Sequence, residues 1–108
     1  MPRVSKTIHK AEYPVFLELL IEARKGAGLT QVQLAAKTGL SQPYVSAVER
    51  GGLRLDTLQL RAWLQACGSN LGAFGAELED RLVMLERQRL DKKIKPSSRI
   101  KQKDKERL

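Results

Sequence analysis

The chain has 108 residues, 42% of them apolar and 30% charged, and a formal net charge of +8. That length fits one domain with some tail, and the apolar share suffices for a small core. One histidine and one cysteine exclude an internal disulfide, a nucleophilic triad and a histidine–cysteine metal site and leave no constellation for an enzyme, and five aromatic residues disfavour a single-strand platform built on base stacking.

No cofactor and no metal are therefore expected. There is no run of eighteen apolar residues and no charged-then-apolar leader, so a soluble, cytoplasmic protein without membrane contact is expected. The lone Cys67 fits a reducing compartment. The charge is unevenly spread: residues 92–108 hold eight Lys/Arg and two acids, which is +6 of the total, and the rest of the chain is nearly balanced. Isoelectric point alone is thus a poor argument for any partner.

Residues 1–11, MPRVSKTIHKA, carry three cations and no acid, with little periodicity, and read as a flexible N-terminal arm. His9 has no histidine or cysteine partner nearby and reads as a surface residue. From Glu12 to Ala27 the spacing predicts a helix with Pro14 in its opening turn. Phe16, Leu20, Ala23 and Ala27 form its inward stripe, widened by Leu17 and Ile21, and Gly26 and Gly28 close it. Arg24 lies near its end.

Thr30 to Gly51, TQVQLAAKTGLSQPYVSAVERG, reads as two short helices joined by a tight turn. Thr30 is a good N-cap, and Leu34 and Ala35 begin the inward face of a helix reaching about Thr38. Ala35 must be small if two crossing helices are to bring their backbones close. Gly39 supplies the positive φ of a sharp turn. Ser41 caps the next helix, with Pro43 in its first turn, and Gly51 ends it. Val45 and Val48 face inward, while Gln42, Pro43, Ser46, Ala47 and Arg50 share the opposite face. A small residue, a four-residue gap, a glycine and two β-branched residues three apart make the helix-turn-helix motif.

Asp56 and Gln59 form a capping box for a helix from about Thr57 to Cys67, with Leu58, Leu60, Trp63 and Leu64 as its apolar contacts and Gly68 as its end. Cys67 reads as a small buried hydrophobe. Ser69 or Asn70 caps a last helix, Leu71 to Asp91, along which Leu71, Phe74, Leu78, Leu82 and Leu85 recur at three and four. Gly72 and Gly75 weaken its start and allow a break near residue 75. Its second half, ELEDRLVMLERQRL, has an apolar stripe that must be buried, against a partner subunit or against its own domain. Residues 92–108, with Pro96 and dense like charge, read as a basic tail that is disordered in isolation.

Residues 12–80 resemble the phage repressor and Cro type of helix-turn-helix proteins, also called the xenobiotic response element family. The resemblance is carried by GLTQVQLAAKTGLSQPYVSAVERG, by the preceding helix with Arg24 and by the following RLDTL. It implies an all-α, lambda-repressor-like DNA-binding domain, a compact bundle of about five helices, with residues 81–91 as a helical extension and candidate dimer contact. It also implies a partly buried Arg24–Glu49 ion pair. That fits elementary electrostatics, since an acid facing DNA is repelled by phosphate and Glu49 should turn inward. Two residues depart from the family pattern: Leu55, where many members carry proline, and Pro43, where many place a polar base reader.

The resemblance further implies a sequence-specific transcriptional regulator, with repression as its expected mode, bacterial or phage-like and associated with the nucleoid. The helix from Gln42 to Arg50 would lie in the major groove of operator DNA. Gln42 is the best base reader, being able to bond both N6 and N7 of adenine. Pro43 would offer apolar contact to a thymine methyl, and Ser46 and Ala47 are short enough to touch bases. Gln31, Tyr44, Arg50 and Arg54 are the candidate backbone contacts. A two-fold homodimer with its reading helices about 34 Å apart would recognise a palindrome. The arm is either a loose terminus or reaches into a groove, and the tail is either a solvated end or a grip on phosphates. Two alternatives remain open: an antitoxin-like autoregulator that also binds a partner protein, and a non-specific nucleic-acid or protein interaction module.

Overall fold

The computed structural model describes residues 11–107, with side chains for residues 11–91. The arm expected over residues 1–11, His9 included, lies outside the described residues except for Ala11. Five helices follow in order: α1 Tyr13–Gly26, α2 Gln31–Thr38, α3 Gln42–Glu49, α4 Thr57–Ala66 and α5 Leu71–Arg107.

Local sequence chemistry sets most of these ends. Thr30 and Gln33 form a reciprocal capping box at α2, with Oγ1 accepting from the Gln33 amide at 3.0 Å and Gln33 Oε1 accepting from the Thr30 amide at 2.9 Å. Asp56 and Gln59 repeat the device at α4. Of the two candidate caps before α5, Asn70 takes the role, its Oδ1 accepting from the Ala73 amide at 2.8 Å. α1 has no side-chain cap; Pro14 sits in its first turn instead, where one orphan donor is simply missing.

The core is assembled from every helix: Leu19 and Leu20 of α1, Leu34 and Ala35 of α2, Val45 and Val48 of α3, Trp63 and Leu64 of α4, and Phe74 of α5. Trp63 is fully buried, and its indole N–H donates to the Leu20 carbonyl at 3.4 Å. Three expectations are corrected here. Ala27 is exposed at the C-cap of α1, just past the last helical turn, and the buried positions of the helix are Leu19, Leu20 and Arg24. Leu58 is 75% exposed, since the core-facing stripe of α4 runs through Leu60, Trp63 and Leu64. No break occurs at Gly75; α5 is continuous.

α5 runs back along α1 in the antiparallel sense. Phe74 meets Phe16 edge-on at 5.6 Å, Arg81 pairs with Glu22 at 2.8 Å, and Arg89 reaches Glu12, at the start of α1, at 3.7 Å. Leu78 and Leu82 share a cleft with Tyr13 and Phe16, and Leu85 lies beside Val15. The leucine stripe therefore has a partner within its own domain, where it is half-buried. The helix also continues past Asp91, where a disordered tail was expected. Lys, Arg, Gln and Glu are strong helix formers, and Pro96 interrupts the ladder locally without outweighing them. No described helix is long and apolar enough to cross a membrane.

Candidate nucleic-acid interface

The turn between α2 and α3 depends on Gly39, which caps α2 at φ 79°. An L side chain in that region is strained even though a Cβ there would meet no atom, so the requirement is purely conformational. Ser41 Oγ then accepts from the Tyr44 amide at 3.2 Å and starts α3. Val45 and Val48 are fully buried, and this pins α3 on α1 and α2 with its opposite face outward. At its end Gly51 adopts φ 86°, and a Cβ there would come within 3.2 Å of Leu17. The positive φ is what demands glycine, and a Cβ would also press on the Leu17 side chain.

Arg24 and Glu49 meet beneath α3 as a bidentate pair. Arg24 Nε donates to Glu49 Oε2 at 2.6 Å and Nη2 to Oε1 at 3.0 Å, while Nη1 donates to the Leu29 carbonyl at 2.9 Å. The two residues are only 8% and 9% exposed, so the pair is desolvated and its fork geometry compensates both charges. It joins the end of α1 to the end of α3.

The network does not stop at Glu49. Gln31 Nε2 donates to Glu49 Oε1 at 2.9 Å, and Gln42 Nε2 donates to Gln31 Oε1 at 2.8 Å. The amide orientations follow from the carboxylate. An ionised acid only accepts, so Gln31 must turn its nitrogen to Glu49 and its oxygen to Gln42. Gln42 must answer with its own nitrogen, and its Oε1 and second N–H are left for another partner. An acceptor beside a donor is the pattern that complements N6 and N7 of adenine.

The remaining candidates divide by exposure. Pro43 and Arg50 are exposed, while Ser46 and Ala47 are half-buried on the same face of α3. Arg50 Nη1 donates to Ser46 Oγ at 3.0 Å, so the arginine lies along the outer face of its own helix. Tyr44 is half-buried and packs against the core. Gln31 is also half-buried, with one N–H left after its two bonds. Arg54 is exposed in the loop after α3 and stacks over the Tyr13 ring. Sequence reasoning missed the Gln31–Gln42 bond and the Tyr13–Arg54 contact. The first had one legible signal, a glutamine at the first position of both motif helices; the second had none, because it spans forty-one residues.

Among the described residues no group of His, Cys, Asp and Glu is arranged to hold a metal. Cys67 is half-buried, and burial pushes its thiol above the usual range, chiefly by desolvation. It is a packing residue in the fold as it stands.

Residues 20–74 match the helix-turn-helix family. A solved structure, the XRE-family like protein from Pseudomonas syringae pv. tomato str. DC3000, superimposes with a TM-score of 0.65 at 40% identity, covering 72% of this chain and 95% of that one. No curated protein sequence matches the chain.

Proposed function

The chain belongs to the XRE/Cro-type helix-turn-helix family of DNA-binding transcription regulators, and we propose that it is a repressor that reads operator DNA through the major groove with α3. The reading is carried by one observation: Gln42 is held by a chain of bonds through Gln31, Glu49 and Arg24 that engages one of its N–H groups and leaves its Oε1 and second N–H for a base. A preorganised amide has less ordering entropy to lose when it meets a base.

In this reading Gln42 bonds an adenine, Pro43 touches a thymine methyl, and Ser46 and Ala47 let the helix sit close to the base edges. Arg50 and Arg54 supply phosphate contacts. Gln31 orients Gln42 and keeps one N–H for the backbone, and Tyr44 contributes mainly packing. One copy reads only a few base pairs, so a two-fold homodimer on a palindrome supplies the rest. Because Leu82 and Leu85 are half-buried in clefts shared with α1, a second copy would meet the exposed Val83, Met84 and Leu90 of α5 instead. Selection from a pool of random duplexes tests the whole reading. An enriched palindrome with an adenine in each half-site is the expected result; a pool that stays random would leave only a non-specific nucleic-acid module.

A further inference from the structure

Arg54 stands apart from the other arginines near α3. Arg24 spends its N–H groups on Glu49 and the Leu29 carbonyl, and Arg50 donates to Ser46. Arg54 makes no hydrogen bond and no ion pair among the described residues. Its guanidinium lies 4.2 Å from the centroid of the Tyr13 ring, in the first turn of α1. A contact with the face of the ring forms no hydrogen bond to a conventional acceptor and leaves the guanidinium N–H donors available to one.

The ring beneath it is held by the core. Tyr13 stacks on Phe16 at 5.5 Å, and Phe16 meets the buried Phe74 edge-on at 5.6 Å. The Tyr13 hydroxyl is buried without a hydrogen-bond partner, so a contact of the hydroxyl is not what fixes the side chain. The nearest acid facing the same cleft is Glu12, which pairs with Arg89 at 3.7 Å. The result is an exposed cation resting on an aromatic ring that packs against the core, four residues beyond Arg50 at the end of the reading helix.

We propose that Tyr13 is a positioning residue for DNA binding, whose ring holds Arg54 ready for a backbone phosphate. This rests on Arg54 being a phosphate contact. Its added content is that α1, outside the helix-turn-helix, supplies the platform. An arginine already immobilised in the free protein loses less freedom on binding, so the platform contributes affinity without touching DNA.

The test measures binding of the full chain to a selected duplex and a scrambled one, between low and physiological salt. Tyr13→Leu, which keeps apolar volume but removes the ring, is expected to weaken both by about two- to fivefold, the range a cation–π contact supports. Tyr13→Phe, which keeps the ring, is expected to bind as the parent does. Arg54→Ala is expected to flatten the log–log salt slope by about 0.9. Adding Tyr13→Leu to Arg54→Ala should then cost nothing further. A loss from Tyr13→Leu that persists without Arg54, or an equal loss from Tyr13→Phe, would overturn the proposal. An unchanged salt slope in Arg54→Ala removes the phosphate contact itself and the proposal with it, whatever Tyr13 does. Should circular dichroism show Tyr13→Leu unfolded, Tyr13→Met carries the same comparison.

Discussion

Gln31 and Gln42 are the same side chain in the same helical position, and the Glu49 carboxylate assigns them different parts. It orients Gln31, which in turn orients Gln42. Gln42→Ala removes a neutral contact, so affinity for the selected site should fall by about 1–3 kcal/mol. The salt slope should stay as it was, because no phosphate contact is lost. Site preference that survives the change intact would put another residue in the groove. Gln31→Ala should cost a smaller part of the same preference, since Gln42 must then be ordered by the DNA. Deeper in the network, Arg24→Ala or Glu49→Ala leaves an uncompensated buried charge, at a cost of about 3–5 kcal/mol of stability. The double change should cost less than the two singles together, and urea melts of all four proteins measure the coupling. Strictly additive losses would contradict the geometry of the pair.

At the scale of the element, α5 separates two sets of apolar residues that one helical stripe could not tell apart. Leu82 and Leu85 are half-buried and line clefts shared with α1, whereas Val83 and Met84 are 42% and 54% exposed, Met84 at the rim of the cleft that Leu85 lines. Leu82→Glu with Leu85→Glu should therefore lower the melting temperature sharply. Val83→Glu with Met84→Glu should leave the fold intact and shift sedimentation toward the monomer if a second copy docks there. The reverse pattern would mean that the stripe faces outward in solution. The same helix pair carries a pH-dependent clamp. Hydrogen bonds from Arg81 hold the Glu22 carboxyl below its ordinary value of 4.5, with attraction to the guanidinium adding to them and partial desolvation opposing. A carboxyl with a lowered folded-state value stabilises the fold above its unfolded value, and that stability is lost as pH falls through the lowered one. The melting difference between the parent and Arg81→Ala should thus be constant near neutral pH and shrink below about pH 4.5. A difference that persists into acid would mean that Arg81 acts by packing its stem rather than by its charge.

Across the whole molecule, charge and reading surface are separated along the chain. The basic excess lies in residues 92–108, while the helix-turn-helix sits in a nearly balanced domain. Removing residues 92–108 should weaken binding to every duplex together and flatten the salt slope, while preference for the selected site persists or sharpens. An unchanged slope would make that stretch a solvated end. The truncation and Gln42→Ala are complementary: one separates grip from reading by charge, the other by chemistry.

The helix-turn-helix was legible in the sequence because its determinants are local. Gly39 fixes a backbone angle, Thr30, Ser41 and Asp56 satisfy amides within three residues, and Val45 and Val48 mark a face by spacing alone. The succession of helices followed from the same short-range rules, and the fold class from the family resemblance that the motif carries. The tertiary structure decided what depends on contacts between distant residues. It buried Leu19 and exposed Ala27 and Leu58, set the Leu78–Leu85 stripe along clefts shared with α1, bonded Gln42 to Gln31 and placed Arg54 over the Tyr13 ring. A helical stripe says that a face must be buried but not by what, since periodicity carries no information about the partner. An amide likewise does not reveal which of its ends will be spent until the carboxylate beside it is in place.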